Sequence, residues 1–165
     1  MPLLHDIRTA RNVLRGILRS RRTRAQVARR EPGQERPAPD TIKIAVYFAD
    51  SKVNLYQIRQ WYAPLAEINE TWPVAIISRS PSAVLELWNE SPVPALYLRR
   101  VTDLEEFVHT QDARIVFYVN QNAKNFQMFR YGRMWHVFIN HGESDKMYMT
   151  TNQFKAYDFS FVAGD

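Results

Sequence analysis

Apolar residues follow two alternating patterns along most of the chain. Six short runs are apolar almost throughout and rich in β-branched or aromatic residues, as is typical of strands buried on both faces of a sheet. These runs are residues 42–49, 73–79, 94–100, 114–120, 134–140 and 158–164. Apolar residues recur at spacings of three and four in the intervening segments, which predicts helices. These segments include residues 54–68, 82–90, 102–110 and 125–132. The strict alternation of strands and helices predicts an α/β fold, namely a Rossmann-like parallel sheet with helices on both faces.

The first thirty residues have a helical pattern of their own. Apolar residues make a single stripe there: Leu3, Leu4, Ile7, Ala10, Leu14, Ile17 and Leu18. Residues 1–40 contain ten arginines and four acidic residues, whereas the rest of the chain has a net charge of −1. The pattern predicts a basic amphipathic helical arm (residues 1–30), a proline-rich linker (residues 31–41) and an α/β domain (residues 42–165).

A basic amphipathic helix suits an anionic membrane surface, with its apolar stripe among acyl chains and its guanidinium groups at phosphates. The candidate membrane-binding residues are Arg8, Arg11, Arg15, Arg19 and Arg22. Two alternatives stay open: the stripe packs on the protein's own domain, or the segment is an arginine-rich transit peptide. Nucleic acid is not the predicted partner, because the arm has no aromatic residue for base stacking and no recognisable binding signature.

The composition excludes several classes of chemistry. The chain has no cysteine, which excludes disulfides and thiolate catalysis. ADSKVN follows the first predicted strand and contains no glycine, so the dinucleotide fingerprint and the Walker phosphate loop are both missing. The histidines and acidic residues do not have the spacing of a metal site. No apolar run approaches the roughly 20 residues that span a bilayer. We therefore predict no metal and no cofactor.

The stretch FINHGESDKMYMTTNQFKAYD, residues 138–158, gathers reactive side chains directly after the fifth predicted strand. In an open parallel sheet, ligands bind beyond the carboxyl ends of the strands. His141 is therefore a candidate general base, with Glu143 or Asp145 to orient it. The candidate substrate-binding residues of this loop are Gly142, Ser144, Asp145 and Lys146. The alternative is a polar loop in which the histidine and the acids only satisfy one another.

A second polar cluster follows the fourth predicted strand and is expected at the same edge of the sheet. Its candidate substrate-binding residues are Asn120, Gln121, Asn122 and Asn125. Side-chain amides can hydrogen-bond the hydroxyl groups of a polyol or a sugar, and they can equally serve as turn and cap residues. His136 lies inside an apolar run, and we predict it to be a core histidine.

Residues 119–164 resemble the N-terminal half of the CDP-glycerol glycerophosphotransferase family, the teichoic-acid-type polymerases and primases. The polymerases of that family carry a His-Gly-Thr-Pro-x-Lys motif at this strand end. In this chain His141, Gly142 and Lys146 keep their places, whereas Glu143 and Ser144 replace the threonine and the proline. The alternating strands from residue 42 onward are compatible with the resemblance.

The resemblance implies a GT-B architecture, in which two Rossmann-like domains face each other across a cleft. The acceptor lies mainly on the N-terminal domain of that architecture and CDP-glycerol mainly on the C-terminal one. The 165 residues leave no room for a donor domain, so we expect this chain to be inactive alone and to need a longer form or a partner chain. Peripheral attachment at the cytoplasmic face of a bacterial membrane is also implied.

The resemblance further implies a reaction. His141 would remove the proton from a hydroxyl of a lipid-linked polyol- or sugar-phosphate acceptor, which then attacks the glycerol-bearing phosphorus of CDP-glycerol and releases CMP. Two other functions stay open: a GT-B glycosyltransferase that uses a nucleotide-sugar, and a non-catalytic module for membrane recruitment or binding.

Overall fold

The structure is a computed structural model and describes residues 2–140 and 155–161. It divides into two compact units, Met1–Gln34 and Glu35–Asp165. The first unit contains the helix α1 (Pro2–Arg30) and a 3-10 turn (Glu31–Gly33). The predicted helical arm is therefore a helix. Between Gly33 and Ile44 the structure describes no helix or strand, and the domain boundaries stay predictions.

The apolar stripe of α1 is open to solvent where its side chains are described. Leu14, Ile17 and Leu18 of the stripe are between 45% and 60% exposed, and so is Val13, which lies outside the stripe. Four of the five candidate membrane-binding arginines are exposed as well, namely Arg11, Arg15, Arg19 and Arg22. Arg8 lies in α1, but its side chain is outside the described part of the chain. The arm thus presents apolar and cationic side chains together.

The second unit is built on a parallel sheet of six strands. Each predicted apolar run contains one strand, and the strands are shorter than the runs because the run ends continue into the connections. The strands are β1 (Ile44–Phe48), β2 (Val74–Ser78), β3 (Ala95–Tyr97), β4 (Ile115–Tyr118), β5 (Trp135–Phe138) and β6 (Phe159–Ser160). Their order is β3-β2-β1-β4-β5-β6, and every neighbouring pair is parallel. The Rossmann-like prediction is confirmed.

Helices connect the strands, as the spacing of apolar residues predicts. They are α2 (Tyr56–Arg59), α3 (Tyr62–Thr71), α4 (Pro81–Glu90), α5 (Val101–Thr110) and α6 (Phe126–Phe129), with 3-10 turns at Lys52–Asn54 and Ala123–Asn125. The segment 54–68, predicted as one helix, is divided between α2 and α3. Pro64 explains the division, because proline has no amide hydrogen and fits an α-helix only in its first turn.

Both faces of the sheet are buried. Along β1, Ala45 and Tyr47 point into the core that contains Leu104 and Phe107 of α5, a side that we call the α5 face. Ile44, Val46 and Phe48 point into the core that contains Leu65 of α3 and Leu87 of α4, which we call the α4 face. Because successive side chains of a strand alternate between faces, a strand buried on both sides is apolar throughout.

Gln111 ties the segment before β1 to the end of α5. Its side chain is 6% exposed, its Oε1 accepts a hydrogen bond from the Ile42 amide at 2.9 Å, and its Nε2 donates to the Ala38 carbonyl at 3.0 Å. Gln111→Leu should lower the free energy of unfolding by about 1–3 kcal/mol, because both backbone groups lose their partner. Urea unfolding measures the change. The exposed Gln60 gives the control, since Gln60→Leu should shift it by less than about 0.5 kcal/mol. Equal losses in the two variants would refute the role of Gln111.

Candidate functional site

The strand order reverses between β1 and β4, and this reversal locates the candidate site. Chain leaving β1 continues into the helices of the α4 face, whereas α6, which follows β4, packs its buried Met128 into the α5 face. Connections that depart to opposite sides open a crevice at the carboxyl ends of the two strands, where ligands of doubly wound sheets bind. Asp50 follows β1 and Asn120 follows β4 at this edge.

Asn120 is the centre of a polar network in the crevice. It is 8% exposed, and its Nδ2 donates to Gln57 Oε1 at 2.6 Å and lies 3.5 Å from Asp50 Oδ2. The Asn120 carbonyl accepts a hydrogen bond from Asn125 Nδ2 at 2.8 Å. The network therefore joins the β1 and β4 connections across the point where the strand order reverses.

The Asp50 carboxylate is held by neutral donors. Its Oδ1 accepts from the Ser51 amide at 2.7 Å and its Oδ2 from Asn54 Nδ2, also at 2.7 Å. No ion pair of the described residues includes Asp50. This half-buried carboxylate lies in the crevice, where its oxygens can accept a hydrogen bond from a hydroxyl group.

Asn125 links this network to the segment that precedes β6. Its side chain is 1% exposed, and its Nδ2 also donates to the Tyr157 hydroxyl at 3.1 Å. Burial raises the pKa of Tyr157 to about 12, and the hydrogen bond from Asn125 acts in the opposite direction. Asn125 Oδ1 is buried and has no hydrogen-bond partner. That oxygen is an unused acceptor inside the site.

Replacing Asn125 by aspartate should be strongly destabilising. The change turns the Nδ2 donor into an acceptor that faces two oxygens and places a carboxyl group at a buried position, so we expect a loss of about 3 kcal/mol at pH 7. Burial raises the pKa of the new carboxyl group above its value in the unfolded chain. Only the charged form of this carboxyl group carries the penalty. The difference in the free energy of unfolding between the variant and the wild type should therefore shrink as the pH is lowered from 8 to 5. Urea unfolding across that range measures it.

Asn122 provides the matched control. Its Oδ1 accepts from the Lys124 amide at 2.9 Å and caps the 3-10 turn Ala123–Asn125. Aspartate caps a helical turn as well as asparagine does, so Asn122→Asp should change the free energy of unfolding by less than about 0.5 kcal/mol. A pH-independent loss in Asn125→Asp, or an equal loss in both variants, would contradict the burial argument.

The predicted amide residues thus divide by position. Asn120 and Asn125 meet in the buried network, Asn122 caps a turn, and Gln121 is half-buried beside them. Their use as substrate-binding residues stays a prediction. Asp50 and Gln57 were not predicted from the sequence. Asp50 directly follows a predicted strand and could have been found by the same argument as His141. Gln57 gives no such signal, because it lies in a helical segment among apolar residues.

The six candidate residues of the loop, His141, Gly142, Glu143, Ser144, Asp145 and Lys146, lie outside the described residues. The structure does place the residue before them. The Ile139 amide donates to the Tyr118 carbonyl at 2.9 Å, which extends the pairing of β5 with β4. The Asn140 carbonyl then accepts from Trp61 Nε1 at 2.8 Å. Asn140 has a φ of 59°, a left-handed conformation that asparagine tolerates better than most residues. The chain therefore turns into the loop at the same edge of the sheet as Asn120.

His136 is a core residue, as predicted. It is 5% exposed, and its Nδ1 lies 2.8 Å from the Tyr118 hydroxyl. Burial lowers the pKa of His136, so the imidazole is neutral at pH 7. It packs among the rings of Tyr118 and Phe129, and we assign it to the core.

None of the described helices combines the length and the hydropathy needed to cross a bilayer. No three metal-ligating side chains cluster within residues 2–140 and 155–161. Comparison of the whole chain with family models, with curated proteins and with solved structures finds no match.

Proposed function

We propose that this chain is the acceptor-side domain of a transferase that moves glycerol phosphate from CDP-glycerol to a hydroxyl of a lipid-linked acceptor. The acceptor is a polyol- or sugar-phosphate, and the reaction belongs to the synthesis of a teichoic-acid-like polymer at the cytoplasmic face of the cell membrane. The observation that carries the proposal is the position of Asn140, because this residue directly precedes His141 in the sequence and lies at the carboxyl edge of the sheet.

The proposed reaction is an in-line displacement at phosphorus. The acceptor O–H loses its proton to His141, and the oxygen attacks the phosphorus that bears glycerol. The bond from that phosphorus to the bridging oxygen breaks, and CMP leaves with the electron pair. Positioning and charge stabilisation dominate such transfers. Glu143 orients the imidazole, and Lys146 offsets charge on the phosphate oxygens.

The polar network supports the acceptor role. The half-buried Asp50 carboxylate lies at the crevice, where Asn120 Nδ2, itself hydrogen-bonded to Gln57 Oε1, lies 3.5 Å from Asp50 Oδ2. Hydroxyl groups donate to such oxygens. A polyol or sugar carries several hydroxyl groups, so a half-buried carboxylate at the crevice favours this class of acceptor over an apolar one.

Release of CMP tests the proposal. Membranes from cells that carry the native gene are incubated with labelled CDP-glycerol, and the same measurement is made after deletion of the gene. We expect CMP release that depends on the gene and on CDP-glycerol. A matched assay with nucleotide-sugars separates glycerol phosphate transfer from glycosyl transfer. Gene-dependent release of a nucleotide from the sugar donors only would replace this proposal by the glycosyltransferase.

The exposed stripe of α1 favours a second function, a non-catalytic module for membrane recruitment. Four large apolar side chains and seven arginines lie exposed among the described residues of this helix, which is the composition of a helix that lies in a membrane interface. This module would bind lipid through the arm and would not need His141. Lipid association without any gene-dependent release of CMP would favour it.

A further inference from the structure

A second cluster of polar atoms lies at the carboxyl ends of β1 and β2, on the α5 face. Ala75 and Ile77 of β2 belong to the α5-face core, and Arg79 is the next residue of that alternation. The Arg79 amide donates to the Phe48 carbonyl at 3.3 Å, so parallel pairing with β1 extends to Arg79. This geometry brings the guanidinium beside Tyr47.

The Arg79 guanidinium is only partly satisfied. Its Nη2 donates to the Arg99 carbonyl at 2.7 Å, whereas Nε and Nη1 are buried and have no acceptor. No ion pair of the described residues includes Arg79. A buried donor without an acceptor is costly, and more so on a charged group. Native proteins rarely keep such donors unless a ligand, ion or water meets them.

The two tyrosines beside Arg79 do not neutralise it. The Tyr47 hydroxyl donates to the Lys124 carbonyl at 3.2 Å. Burial raises the pKa of Tyr47 to about 12, although the charge of Arg79 and a side-chain hydrogen bond with it act to lower that pKa, so Tyr47 is neutral at pH 7. Tyr131 also lies close enough to influence Tyr47, and the Tyr131 hydroxyl is buried without a partner. Arg79 Nε, Arg79 Nη1 and the Tyr131 hydroxyl are thus three buried polar groups in the neighbourhood of Tyr47 that have no hydrogen-bond partner.

We propose that Arg79, together with the Tyr131 hydroxyl, forms an anion site for a phosphate group. The planar guanidinium presents several N–H donors to two or more oxygens of one anion, which is the arrangement that phosphate recognition uses. The inference rests on the proposed function, because the phosphate would be that of the acceptor, but binding needs no turnover.

Stability measurements with defined anions test the site. Thermal unfolding of the whole chain is followed at increasing inorganic phosphate or sn-glycerol 3-phosphate, with sodium chloride holding the ionic strength constant. A ligand that binds only the folded state raises the midpoint. We expect phosphate to raise it for the wild type and Arg79→Met to weaken the apparent affinity at least tenfold. Tyr131→Phe should weaken it several-fold.

A purely structural arginine would behave differently. In phosphate-free buffer, Arg79→Met should unfold at the same temperature as the wild type or a higher one, because the change removes buried donors that have no acceptor. Arg79→Lys keeps the charge and loses the planar fork, so it should also bind phosphate more weakly than the wild type. This second variant decides the question if Arg79→Met does not fold. No phosphate-dependent shift in the wild type would overturn the proposal.

Arg99→Met is the matched control, since Arg99 is an exposed neighbour that meets Arg79 through its backbone carbonyl. It removes the same charge and should retain phosphate binding within about threefold, because exposed charges interact weakly. Equal loss in Arg79→Met and Arg99→Met would reveal unspecific attraction and overturn the site.

Vesicles of phosphatidylcholine with phosphatidic acid show whether the bound phosphate belongs to a lipid. If these vesicles compete with inorganic phosphate for the protein, the site binds a lipid-borne phosphate. If they do not compete, the site binds a soluble phosphate. Phosphate binding without CMP release would leave the site standing and remove only the transferase.

Discussion

Replacing His141 by alanine is expected to lower the release of CMP from CDP-glycerol by about 10²–10⁴-fold, the usual contribution of a positioned general base. The proposed reaction needs a group that takes the acceptor proton as the oxygen attacks phosphorus. Imidazole suits that task near neutral pH. Asn140 starts the loop at the carboxyl edge of the sheet, where Trp61 Nε1 holds its carbonyl at 2.8 Å. Membranes from cells that carry the variant gene give the measurement, with the amount of protein quantified in parallel.

His109 supplies the control for this experiment. It lies in the last turn of α5 and is exposed, and the proposed reaction gives it no role, so His109→Ala should retain CMP release within about twofold. His141→Gln complements the alanine variant, because glutamine keeps hydrogen-bonding capacity and cannot take up a proton. If His141→Ala or His141→Gln retained full activity, His141 would not be the base.

The strands of this fold could be predicted from the sequence, and the reason is physical. A parallel strand covered on both faces is apolar at every position, so the pattern is visible without knowledge of its neighbours. All six predicted runs contain a strand. The break between α2 and α3 is less visible, because it depends on the position of Pro64 within a continuous apolar periodicity.

The site could be predicted only where it follows a strand directly. Asn120 was found because it ends the fourth predicted run, and the ends of parallel strands share one edge of the sheet. Gln57 was not found, because its contact with Asn120 joins residues that are 63 positions apart in the sequence. Arg79 likewise looks like an ordinary charged residue after a strand. Its unpartnered nitrogens become visible only when Tyr47 and the Arg99 carbonyl are placed beside it.

Removing two side chains of the arm stripe is expected to abolish most of its lipid binding. Leu14 and Ile17 are 60% and 45% exposed, and each apolar side chain moved from water into acyl chains contributes about 1.5–3 kcal/mol. The double variant Leu14→Gln, Ile17→Gln should therefore weaken partition to vesicles by about 10²-fold or more. Co-sedimentation with vesicles of phosphatidylcholine and phosphatidylglycerol measures the partition.

The charge contribution separates from the apolar one by its dependence on salt. Each arginine near an anionic surface contributes about 1 kcal/mol, so Arg15→Gln with Arg19→Gln should weaken binding about 10- to 30-fold at low salt. This loss should shrink at high ionic strength, where the charges are screened, whereas the loss in the Leu14 and Ile17 variant should persist.

Val53, 78% exposed and outside the arm, gives the control, since Val53→Gln also removes an exposed apolar side chain and should not change binding. Equal binding by the wild type and the Leu14 and Ile17 variant would show that the stripe does not enter the bilayer, and both proposed functions would then lose the arm as their membrane contact.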